Sequence, residues 1–195
     1  AAIAKLVRQI PGIIRIQDSM TPLQAPIAWI WVAPNRTEGY DARVHLLAEG
    51  YRGADGTTVQ GLDTTVAITT HRGKVWSIDA TGRITSSERT GMLEAASIQF
   101  QGSWNRLPTK RNPYPDQFEI CIGRLFGYKT TLRNIALAGK SITDGTFEFQ
   151  ASSLFGREPI DIRGMVSPDT GSGVVQIEGR AGADWLKQVS DIIGS

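Results

Sequence analysis

Glu119 and Glu148 are the residues whose placement comes nearest to chemistry. Each sits midway along a segment that alternates polar and apolar residues, on the side opposite Phe118, Ile120, Phe147 and Phe149. Two carboxylates on adjacent strands, about 5–10 Å apart, could flank a sugar as acid and base or nucleophile. Sugar-cleaving sandwiches crowd acids and aromatic rings onto one concave face, whereas here the Phe residues fall on the other side. The two glutamates are therefore expected to be solvated, and no catalytic residue is assigned.

Other reactive side chains are sparse. His45 and His71 lie on different segments without ligand-like neighbours in sequence, and Cys121 is the single cysteine. One thiol excludes an intramolecular disulfide and any standard Cys/His zinc spacing. Cys121 reads as half-buried, and His45 as a solvent-facing or sheet-edge residue. No Gly-x-Ser-x-Gly elbow, Walker loop or Gly-x-Gly-x-x-Gly turn is present. Asp55-Gly56 lacks the acidic ladder of a calcium loop. No metal and no cofactor is assigned. Asn35-Arg36-Thr37 fits the N-glycosylation pattern, which carries little weight without a sign of secretion.

Basic residues gather near Arg106, Lys110 and Arg111, and again at Arg124, Lys129 and Arg133. Tyr114, Phe126 and Tyr128 are interleaved with them. Such mixtures can hold nucleic acid. A net charge of +2 is too mild to attract it in bulk. A solvated rim, or contact with an acidic neighbour, is the expectation.

These residues must be positioned by a mainly β chain. With 195 residues, 41% hydrophobic and 21% charged, the chain suits one domain over residues 1–195 with a real core. Alternation marks the strands: Val44 and Leu46 against Arg43 and His45, Val66 and Ile68 against Thr65 and Ala67, Trp76 and Ile78 against Ser77 and Asp79. Ile98 and Phe100, Phe118 to Ile122, Phe147 and Phe149, and Val175 and Ile177 follow the same period. Trp29 and Trp31 share one side of a strand whose other side holds Ile30 and Val32, a pattern that predicts burial on both faces. Turn signals fall at Asp55-Gly56, Arg72-Gly73, Thr81-Gly82, Asp144-Gly145 and Ser167-Pro168-Asp169. Short strands so punctuated predict an antiparallel β-sandwich or small β-barrel.

Short helices are expected at both ends. Ile3, Leu6, Val7 and Ile10 form an apolar stripe within an N-terminal amphipathic arm, residues 1–12. Trp185, Leu186, Val189, Ile192 and Ile193 do the same in a C-terminal helix, residues 184–194, which either covers an open barrel end or packs on another subunit. Residues 108–115 hold three prolines and read as a projecting loop. No apolar run reaches the roughly 20 residues of a membrane span.

A β body, apolar terminal helices, a projecting basic loop and Gly/Thr-rich hairpins together resemble the small β-rich subunits of bacteriophage tails, the tail-tube and baseplate proteins. The resemblance implies a non-enzymatic structural subunit that self-assembles into a ring, often hexameric, or a tube. It further implies neighbouring structural proteins as partners, a conduit for DNA, and a virion location after assembly in the host cytoplasm. The assembly interface would draw on Ile3, Leu6, Val7, Ile10, Lys110, Arg111, Tyr114, Trp185, Leu186, Val189 and Ile192. The alternative is a glycan-binding β-sandwich module presenting Trp76, Trp104 and Tyr51.

Overall fold

A computed structural model of the chain describes residues 20–36, 38–72, 74–89, 93–105, 115–127, 130–142, 146–155, 158–167 and 172–179. The strands are β1 (Met20–Pro22), β2 (Ile27–Pro34), β3 (Tyr40–Gly53), β4 (Thr57–His71), β5 (Lys74–Arg89), β6 (Leu93–Trp104), β7 (Gln117–Gly127), β8 (Thr130–Ser141), β9 (Phe147–Phe155), β10 (Glu158–Ser167) and β11 (Ser172–Gly179). They form one sheet in the order β1-β3-β4-β5-β6-β7-β8-β9-β10-β11, with β2 also on β3. The expected helices over 1–12 and 184–194, and all of the expected loop over 108–115 but Pro115, lie outside the described residues.

Mainly β is therefore right, and sandwich or barrel is corrected to a single open antiparallel sheet. Most links between successive strands are short: β4 ends at His71 and β5 begins at Lys74, β7 ends at Gly127 and β8 begins at Thr130. Short hairpin links keep each strand beside its predecessor, whereas a Greek-key sandwich needs a longer connection to reach a second sheet. Among the described residues, β11 pairs only with β10 and β2 only with β3, so no hydrogen bonds close the sheet.

Directly opposed residues of antiparallel strands share a face. One row runs from Ile30 on β2 through Val44, Val66 and Ala80, and ends at Val175 on β11. Between Ala80 and Val175 it alternates strand by strand: Gly102, Phe118, Gly139, Phe149, Gly164. The Phe rings occupy the space the glycines leave, since a Cβ at Gly139 would fall 2.5 Å from the Phe118 ring and one at Gly164 2.9 Å from that of Phe149. The adjoining row repeats the device once, with Phe100 over Gly82. Thr81-Gly82, which reads as a turn in sequence, therefore lies inside β5. Its glycine is a seat for a ring rather than a bend in the chain.

This apolar face is deepest where Ile68 and Ile78 oppose each other, each 2% exposed beneath Ala42, Val66, Val75 and Trp104. A transverse irregularity crosses the long strands. Gly61 on β4, Ser97 on β6 and Asn134 on β8 take left-handed φ values of 64°, 56° and 51°. Matching pairs bracket them in one row: Ile84 with Ile98, Ser86 with Ala96, Ile122 with Ile135, Arg124 with Arg133. Simple alternation breaks there. On β7 the less exposed residues are Phe118, Ile120 and Ile122 before the row, then Leu125 and Gly127 beyond it.

Candidate interaction edges

The opposite face is polar in the middle and apolar at its two lateral ends. One of its rows reads Trp29, His45, Thr65, Thr81, Gln101, Glu119, Ala138, Gln150, Arg163, Gln176. The next begins at Trp31 and Arg43 on one side of the sheet and ends at Met165 and Val174 on the other.

A trough of about 800 Å³ crosses this face from β5 to β11. Glu119 and Glu148 both line it, which places the two carboxylates on one surface. They lie two strands and one row apart, so their backbones are separated by more than roughly 10 Å. Each is already engaged: Gln101 Nε2 donates to Glu119 at 2.6 Å, and Lys140 pairs with Glu148 at 2.9 Å. Phe118 and Phe149, the rings nearest them, belong to the row that faces the other way. Cys121 also lies on the polar face and is exposed, not half-buried, because its neighbours across the strands are Gln99 and Ala136.

His45 is half-exposed but bound. Its Nε2 lies 2.7 Å from Asp63 Oδ1, and its ring stacks on Trp29 with centroids 5.2 Å apart. Arg83 holds the second carboxylate oxygen of Asp63 through Nη2 at 2.9 Å and Nε at 3.0 Å. The His45 hydrogen bond first, and then Arg83, keep the Asp63 carboxyl below the usual carboxylate range. The cluster fastens β2, β3, β4 and β5 to one another at one lateral end of the sheet. Among the described residues, no group of three His, Cys, Asp or Glu side chains could hold a metal ion.

The candidate sugar platform does not converge. Trp76 is exposed and meets His71 edge-on. Trp104 packs on the Ile68–Ile78 centre of the apolar face. Tyr51 opposes Val59, which opposes Ser87, about 30 Å along β5 from Ile78. Burial pushes the Tyr51 hydroxyl pKa up.

Among the described residues, eight of the thirteen large exposed apolar side chains lie on β2, β10 and β11, and the other five, Leu23, Tyr40, Trp76, Leu93 and Phe126, are scattered elsewhere. On β2, Ile27, Trp29, Ile30, Trp31 and Val32 are 40–57% exposed. On β11, Val174 is 71% and Val175 56% exposed, with Met165 beside them on β10. The reading of β2 as buried on both faces is thus corrected: it is apolar on both faces and exposed on both, and among the described residues its one strand neighbour is β3. Proline could have revealed this from sequence. Pro22, Pro26 and Pro34 bracket β2, and proline is confined to sheet edges by its missing N–H. The residues first expected to form an interface, Ile3, Leu6, Val7, Ile10, Lys110, Arg111, Tyr114, Trp185, Leu186, Val189 and Ile192, lie outside the described residues. No helix among the described residues is long and apolar enough to cross a membrane. Known protein families, curated proteins and solved structures offer no match to this chain.

Proposed function

We propose that the protein is a non-enzymatic structural subunit that assembles with its own kind through the edges of its sheet. The observation that carries this reading is that the two largest groups of exposed apolar side chains sit on β2 and at β10–β11, the outer margins of the sheet among the described residues, while the rows between them on the polar face are mainly polar. An unpaired strand presents a row of N–H and C=O groups ready to pair with another chain. Proteins that remain single blunt such edges with Lys, bulges or inward charges. β2 carries no charged residue, and β11 carries only Glu178. Each large apolar side chain covered at such a junction contributes about 1.5–3 kcal/mol if fully buried. This reading suits the phage-tail setting that the sequence resemblance implies, in which copies build a ring or tube within a virion. The carboxylates Glu119 and Glu148 then serve as a solvated surface and not as a reacting pair.

Imaging of the concentrated protein by negative stain tests the reading. Rings, tubes or ribbons of regular width are the expected result. Uniform particles of single-chain size would overturn it.

A further inference from the structure

Among the described residues β2 and β11 are the outer strands of the sheet, and they are complementary to each other. β2 and β11 are each eight residues long. Every pairing along the path from β2 to β11 is antiparallel, and that path contains ten strands. With an even number, β11 runs opposite to β2. A second copy placed beside the first in the same orientation therefore meets β11 with its β2 in antiparallel sense, which is the pairing used throughout the sheet. The same placement keeps the apolar face beside the apolar face.

The side chains match as well. Val175 ends the row that Ile30 begins, Val174 ends the row that Trp31 begins, and Gln176 ends the row that Trp29 begins. Continuing these rows from one copy into the next sets Val175 opposite Ile30, Val174 opposite Trp31 and Gln176 opposite Trp29. In that register, the eight residues of β11 face residues 26–33, so Pro26 closes one end of the junction and Pro34 lies just past the other. Proline cannot donate to a ladder, which limits pairing to this stretch. A one-residue slip would set Val175 against Trp29 or Trp31 and reverse the faces along the whole strand.

We infer that the partner of this chain is a second copy of itself, joined head to tail by antiparallel pairing of β11 with β2, in the register that puts Val175 against Ile30. The inference rests on the assembly reading above and specifies its junction. Such a contact is heterologous: the two surfaces differ, every copy carries one of each, and rotation per copy decides whether the chain of copies closes into a ring or continues as a filament. A two-fold pairing of β2 with β2 would instead stop at a dimer.

The test uses two full-length variants, Ile30→Lys and Val175→Lys, each at an exposed edge position where the fold of the single chain loses little. A lysine at either position buries an unpaired charge in the junction and weakens assembly by at least about tenfold. Each variant alone should sediment as a single chain at concentrations where the wild type assembles. Mixed in equal amounts, they should form a one-to-one dimer and nothing larger, because Ile30→Lys retains an intact β11 and Val175→Lys an intact β2. Assembly of either variant at wild-type strength would overturn the junction, and so would a mixture that stays monomeric. A wild type that never assembles would overturn the assembly reading itself.

Discussion

The ring of Phe118 on β7 lies over Gly139 on β8, where any other residue at position 139 would carry its Cβ 2.5 Å from the ring carbons. A sheet without a second layer among the described residues must bury apolar surface sideways, within its own face. Seating a ring on the neighbouring glycine does this, since it covers the bare backbone and much of the ring at once. Gly139→Ala is therefore expected to cost about 1–3 kcal/mol through overpacking. In a Phe118→Leu background the same change should cost less, because the obstructing ring is gone. Urea unfolding of the four proteins of this cycle gives the coupling directly.

The irregular row through Gly61, Ser97 and Asn134 makes an asymmetric prediction. Gly61 holds φ at 64° with Thr85 against its Cα, so Gly61→Ala should cost about 1–2 kcal/mol or more. Ser97 holds φ at 56° although it carries a side chain. Ser97→Gly should leave stability within about 1 kcal/mol of the wild type, on the stabilising side, as relief of the left-handed conformation offsets the entropy of the new glycine. Thermal midpoints of both variants check the opposite signs.

Asp63 gives the fold a pH dependence at the β2 end. Its carboxyl titrates below the usual range in the folded chain, chiefly through the His45 hydrogen bond and then through Arg83. The folded state thus takes up the Asp63 proton less readily than the unfolded state. The stability this provides is complete above the ordinary carboxylate pKa and is lost as pH falls through the lowered folded-state value. The stability difference between wild type and Asp63→Asn should shrink as urea titrations move from neutral pH to below pH about 3. A constant difference would show that Asp63 acts without its charge.

Asn35 locks the β2–β3 hairpin with both ends of its amide. Nδ2 donates to the Thr70 carbonyl at 2.8 Å and to Asp41 Oδ1 at 3.1 Å, and Oδ1 accepts from the Gly39 N–H at 2.9 Å. Asn35→Ala should cost about 1–3 kcal/mol. Asn35→Asp should be no better, since it keeps the acceptor, loses both donors and sets a carboxylate against Asp41. Chemical denaturation of the two variants distinguishes this lock from a simple surface asparagine.

Much of the sheet was legible in the sequence because period-two alternation survives in space. Phe118, Ile120 and Ile122 share one face of β7, and Glu119 and Cys121 share the other. What covers a face is not encoded in that pattern. The run from Ile27 to Val32 reads as a buried strand because apolar residues on both sides look the same whether neighbours surround the strand or it lies at an edge. Gly82 reads as a turn because glycine permits one, and its actual use depends on Phe100 standing opposite. The His45–Asp63–Arg83 cluster leaves no sequence signal either. Its members stand on three strands, and only the register brings them together.

Hydrogen exchange of the amides of β2 and β11, followed as protein concentration is raised, tests whether copies pair through these two strands. Edge pairing predicts that amides in residues 27–33 and 173–178 gain protection as concentration rises, while those of β5, β6 and β7 stay unchanged. Edges that exchange equally fast at every concentration, in samples whose mass grows beyond the 21.2 kDa of one chain, would show that the copies meet elsewhere and would contradict the account.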